Sequence, residues 1–121
     1  MKTATLEATL TDLFKRAEAA ALAADPGDGM LNDAGTCNAD SPAFTLPRVR
    51  KALIERAAQA AGITVTDYEW FNTRYFWVNV TTRGQANRRS LMAEAAYKVL
   101  REFAESGEIP GFRATMYYQM D

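Results

Sequence analysis

The chain has 121 residues, a formal net charge of −1, no histidine and one cysteine. That length suits one domain, and 48% hydrophobic with 24% charged residues is a globular composition that excludes global disorder. One thiol excludes an internal disulfide, the lack of histidine excludes His-based triads and His-rich metal sites, and no stretch approaches the ~18 apolar residues of a membrane span.

The opening Met1-Lys2-Thr3-Ala4-Thr5 leads into an amphipathic segment rather than the apolar core of a signal peptide, so a reducing, cytoplasmic location is expected. Leu6, Leu10, Leu13, Phe14, Ala17 and Ala21 recur at three- and four-residue intervals and predict a helix from Thr5 to Ala24, the first unit (1–24), stopped by Asp25-Pro26-Gly27. Residues 25–42 form an acidic Gly/Asp-rich loop. It lacks the D-x-D-x-D-G spacing of a calcium site, and no metal or cofactor is expected.

The remaining core unit, 43–121, begins with a short strand, Ala43 to Leu46. Pro47 then fits a first helical position for a helix over Arg48 to Ala61, with Val49, Leu53, Ala57 and Ala60 inward and Gly62 at its end. The β-branched and aromatic run Ile63 to Trp70 predicts a strand, Phe71 to Arg74 a turn, and Tyr75 to Thr82 the second strand of a hairpin. Asn87 is a candidate cap for a helix to Ser106, with Met92, Ala96, Val99 and Phe103 inward, followed by a last strand from Phe112 to Gln119. From residue 43 the order is βαββαβ. It predicts an α+β, ferredoxin-like domain, a four-stranded antiparallel-rich sheet with two helices on one face, plus the extra N-terminal helix, all in one domain.

The near-zero net charge conceals an uneven distribution. Residues 1–47 carry −4, residues 48–101 carry +6 and the last twenty carry −3, with ten arginines against four lysines. With the two central strands taken as parallel, both crossover helices are expected to begin at one edge of the sheet. Arg48, Arg50 and Lys51 open the first helix, and Arg83, Arg88 and Arg89 surround the start of the second. Cations at a helix N-terminus are locally unfavourable, so this arrangement calls for an anion: phosphate, carboxylate or an acidic surface, supplied by a partner or by the fold's own acids.

Strand alternation gathers Tyr68, Trp70, Tyr75, Trp77 and Tyr117 beside Arg113 on the sheet face opposite the aliphatic core. Three fates are open to this platform: cover by the N-terminal helix, contact with a protein or a second copy, or stacking of single-stranded bases. Tyr75-Phe76-Trp77-Val78-Asn79-Val80 is loosely similar to the third-strand octamer of RNA-recognition modules but lacks the glycine before the aromatics. Catalysis is not expected. Cys37 has no histidine base, no phosphate-cradling glycine motif occurs, and Asp67 and Glu69 lie at a hairpin end where solvated acids are common.

Three strings, Gly35-Thr36-Cys37-Asn38-Ala39-Asp40, Gly84-Gln85-Ala86-Asn87-Arg88-Arg89 and Tyr117-Tyr118-Gln119-Met120-Asp121, together resemble small, largely uncharacterised proteins of phages and conjugative elements of Gram-positive gut bacteria. The resemblance spans roughly residues 35–121 and departs at Ala39, where an aromatic residue is the common occupant. It implies an accessory protein that binds a host protein or ribonucleoprotein complex, in its most concrete form an anti-CRISPR-type inhibitor. The residues themselves leave two alternatives, a single-stranded nucleic-acid-binding module with an aromatic sheet platform and a small enzyme or binder of an anionic metabolite.

Overall fold

The computed structural model describes residues 1–29, 40–83 and 86–117. Helix α1 (Thr3–Ala23) precedes β1 (Ser41–Thr45), α2 (Lys51–Ala60), the hairpin strands β2 (Thr64–Trp70) and β3 (Thr73–Asn79), α3 (Ala86–Ser106) and β4 (Arg113–Tyr117). Among the described residues the architecture is α+β, with three helices and one four-stranded antiparallel sheet in the order β2-β3-β1-β4. No described helix is long and apolar enough to cross a membrane.

Several boundaries differ from the sequence reading: β3 spans Thr73–Asn79 instead of Tyr75 to Thr82, and α3 begins at Ala86, so Asn87 lies inside the helix and is not its cap. β1 begins at Ser41 instead of Ala43, and α2 begins at Lys51 instead of Arg48. Arg48 holds a left-handed backbone (φ 68°), which cannot continue into a right-handed helix, so Pro47 belongs to a turn and Arg50 becomes the N-cap residue. Gly62 takes the positive φ (82°) that ends α2. The inward face of α2 is Leu53, Ile54, Ala57 and Ala58, whereas Ala60 is exposed.

The core lies between the sheet and the helical layer. Phe44 at its centre stacks on Phe76 at 5.4 Å and on Phe112 at 5.0 Å, and Phe14 of α1 meets it at 5.7 Å. Leu10, Leu13, Phe14 and Ala17 are fully buried in the same cluster as Ile54, Met92 and Leu100. Each such Leu, Ile or Phe contributes about 1.5–3 kcal/mol by leaving water. α1 therefore joins α2 and α3 in one layer on the inner sheet face and packs against both. Polar links fasten it there: Arg56 donates to Glu7 at 2.7 Å, and Thr81 donates its N–H and Oγ1–H to the Glu18 carboxylate at 2.7 and 2.9 Å.

The central strands β1 and β3 run antiparallel, pairing Ala43 with Trp77 and Phe44 with Phe76. This corrects the expectation of a shared basic edge. α2 follows the C-terminal end of β1 and α3 the C-terminal end of β3, so the two helices begin at opposite ends of the sheet. Arg48, Arg50 and Lys51 lie at the end holding the β2–β3 turn, and Arg83, Arg88 and Arg89 at the other.

Candidate binding surfaces

Strand alternation divides the sheet as its sequence pattern dictates. Phe76 and Val78 of β3 enter the core, and their neighbours Tyr75 and Trp77 point to the outer face. There Tyr68 is the hub of a ring cluster, stacked on Tyr75 at 5.3 Å, tilted on Trp77 at 4.7 Å and edge-on to Tyr117 at 5.9 Å, while Trp77 meets Tyr117 at 5.2 Å. The rings bury Ala43 of β1 completely. Burial pushes the Tyr68 phenol above its ordinary pKa, an effect the neighbouring Trp77 indole N–H partly offsets. The Trp77 Nε1 atom is itself buried without a well-formed hydrogen bond. Around the rings the face is uncharged and hydroxyl-rich: the Asn79 amide donates to Thr64 and Thr66 Oγ1, both at 3.0 Å. Arg113, exposed on β4, is the face's one charge among the described residues. Of the fates considered for this platform, cover by the N-terminal helix is removed, because α1 packs on the inner face.

At the end of the sheet where α3 begins, the predicted cations meet acids of the same chain. Arg88 is only 8% exposed and forks onto Asp25, with Nε at 2.7 Å from Oδ1 and Nη2 at 3.0 Å from Oδ2. It also pairs with Asp28, and Arg83 approaches Asp25 at 3.5 Å. The Asp25 Oδ1 atom accepts the Gly27 N–H as well. These contacts, the Arg88 hydrogen bonds first and the Gly27 N–H next, hold the Asp25 carboxyl at about 2, and the carboxylates of Asp25 first and Asp28 next raise Arg88 above its usual value. Nearby, buried Asp40 accepts a bond from Ser90 Oγ at 3.1 Å, and Arg89 keeps its Nε buried without a hydrogen-bond partner among the described residues. The anion that cations at the start of α3 call for is thus supplied internally by Asp25 and Asp28. Arg88 is engaged within the fold and is not a free contact residue, a correction to its place in the predicted site.

The opposite end is organised differently. Lys51 reaches Asp67 at 2.8 Å, which lowers the Asp67 pKa, raises that of Lys51 and removes Asp67 from the acid pair weighed with Glu69. Arg74 donates to the Val49 carbonyl at 3.2 Å and lies 5.2 Å from the Phe76 ring centroid. Arg48, Arg50 and Arg113 are exposed and have no carboxylate partner among the described residues. Trp70 pairs with Thr73 across a two-residue turn made by Phe71 (φ 49°) and Asn72 (φ 62°). Asn suits that left-handed geometry. Phenylalanine does not, and the conformation costs a residue with a Cβ roughly 1–2 kcal/mol. The Phe71 ring is nonetheless 86% exposed, and Trp70, 60% exposed, meets it edge-on at 5.1 Å. Beside the turn, Arg74, Tyr75, Arg113, Thr45, Glu69 and Thr115 line a groove of about 910 Å³.

The sequence reading assigned Phe71 to a turn and missed it as a contact residue; the signal was present in the conflict between an aromatic residue and a turn position that favours Asn or Gly. Cys37 and the strings at 35–39, 84–85 and 118–121 lie outside the described residues. Among those described, no group of three or more Cys, Asp or Glu is placed to hold a metal. In comparisons with protein-family models, curated proteins and solved structures, the chain matches none.

Proposed function

We propose that the chain is a non-catalytic binding protein that occupies the surface of a host macromolecule with the outer face of its sheet. The observation that carries this reading is the packing of all three helices on the inner face, which leaves Tyr68, Tyr75, Trp77 and Tyr117 with no described helix over them. Among the described residues this surface of Tyr and Trp has one arginine and no carboxylate, the composition of a protein-interface centre, where aromatic residues and Arg are enriched and Lys, Asp and Glu depleted. The strand order, with every neighbouring pair antiparallel, supports a ferredoxin-like βαββαβ scaffold whose helical layer has gained α1. The resemblance of the three strings supplies the context: an accessory protein of a phage or conjugative element, with inhibition of a CRISPR effector as the concrete form.

The test is affinity capture from bacterial lysate with three proteins. Thr66→Arg adds bulk and charge to an exposed outer-face position without removing a ring, and Glu102→Arg alters the exposed side of α3. Recovery of the wild-type partners should fall at least tenfold for Thr66→Arg and stay unchanged for Glu102→Arg, with both variants melting like wild type. Equal recovery by Thr66→Arg would overturn the assignment of the outer face.

A further inference from the structure

We infer that the β2–β3 turn and the groove beside it form a second binding site, one for single-stranded nucleic acid. The site shares Tyr75, Thr115 and Arg113 with the outer face, but the inference rests on the turn residues Trp70 and Phe71. Four observations converge on it. First, Trp70 and Phe71 present ring surface that the fold does not use; apart from their mutual edge contact they face solvent. Second, Phe71 stands where a left-handed backbone disfavours it, so its presence is not explained by the turn. Third, Arg113 in the groove is exposed without a carboxylate partner among the described residues, and so are Arg48 and Arg50 on the adjoining segment before α2, where they line a neighbouring cavity with Arg56. Thr45 pairs with Arg113, Gly111 approaches Pro47, and Arg74 bonds the Val49 carbonyl. Fourth, the groove is lined with hydroxyl and amide groups, Thr45, Thr73, Thr115 and Asn72, and with Glu69 as its only carboxylate among the described residues.

Each component has a counterpart in a single strand. Unstacked bases have π-faces on both sides that exposed aromatic rings can meet without sequence preference, and guanidinium forks match phosphate oxygens. A duplex offers no free base faces. An acidic peptide such as polyglutamate would satisfy the cations but carries no π-face to stack on the two exposed rings. The outer-face cluster is a poorer stacking platform, because Tyr68, Tyr75, Trp77 and Tyr117 already cover one another and, among the described residues, only Arg113 is charged there.

Fluorescence anisotropy with labelled twenty-nucleotide oligo-dT and oligo-rU, a duplex of equal length and polyglutamate as competitors, tests the inference on the full chain. Wild type should bind the single strands at low salt and release them as salt rises. Phe71→Asn should weaken binding about tenfold or more, the loss expected for one base–aromatic stack. Arg113→Ala should reduce the slope of log K against log salt by about 0.7, the value for one phosphate contact on a single strand. Arg101→Ala, on the exposed side of α3, should change neither. No binding at low salt, duplex preferred over single strand, or Phe71→Asn binding like wild type would each overturn the site. Polyglutamate competing as well as oligonucleotide would overturn nucleic acid as the ligand and point to an acidic protein. Loss of oligonucleotide binding by Phe71→Asn with normal partner capture separates this site from the outer face.

Discussion

Arg83 and Arg88 at the start of α3 face carboxylates from residues 25–28, whereas Arg48, Arg50 and Arg113 at the turn end have no acid partner among the described residues. Both ends are arginine-rich, and by composition they look alike. Their environments make them opposites. Bidentate pairing at low exposure turns Arg88 into a fastener that holds the segment after α1 against α3, while exposure at the other end keeps the charge available to something outside the molecule. A basic stretch of sequence thus becomes a contact surface only where the fold has not already supplied the counter-ion.

The contrast breaks most visibly at Arg88. Arg88→Ala leaves Asp25 partly buried without its fork, and the melting temperature should fall by roughly 10 °C, against a change of about 1–2 °C for Arg113→Ala. Equal effects would mean that the two ends are energetically the same. Acid sharpens the comparison by a second route. Asp25 has a folded-state pKa of about 2, below its ordinary value of 3.8, so its contribution to stability is complete above about pH 5. That contribution is lost as pH falls through 4 towards 2, where the unfolded chain takes up the proton first. Urea midpoints measured from pH 6 to pH 2 should therefore decline more steeply for wild type than for Arg88→Ala, whose Asp25 is returned towards the ordinary range.

The fold was largely readable because its signals are local. The three- and four-residue spacing of Leu10, Leu13 and Phe14 and the alternation of Phe76 and Val78 with Tyr75 and Trp77 decide which sides are buried, and the structure buries those sides. Strand direction is not local. It follows from counting reversals: the β2–β3 hairpin turns β3 against β2, and β1 and β3 consequently pair antiparallel, which separates the helix starts. The start of α2 depended on the φ of Arg48, which its side chain does not announce. Of the candidate sites, the aromatic face was readable from alternation alone. At Arg88 the anion comes from Asp25, sixty-three residues away in the chain and beyond the reach of any local pattern.

The smallest effect expected concerns the turn itself. Phe71→Asn places at φ 49° a residue that tolerates the left-handed region, relieving a cost of roughly 1–2 kcal/mol, from which the lost edge contact with Trp70 subtracts about half. The net expectation is a gain of about 0.5–1 kcal/mol, read as a higher urea midpoint at unchanged slope. A gain shows that the fold would be better served by another residue at this position, and that the ring's role lies outside the molecule. A loss of stability would place the Trp70–Phe71 contact among the interactions that hold the hairpin together. The turn end would then resemble the Arg88 end, its distinctive side chains engaged by the fold itself.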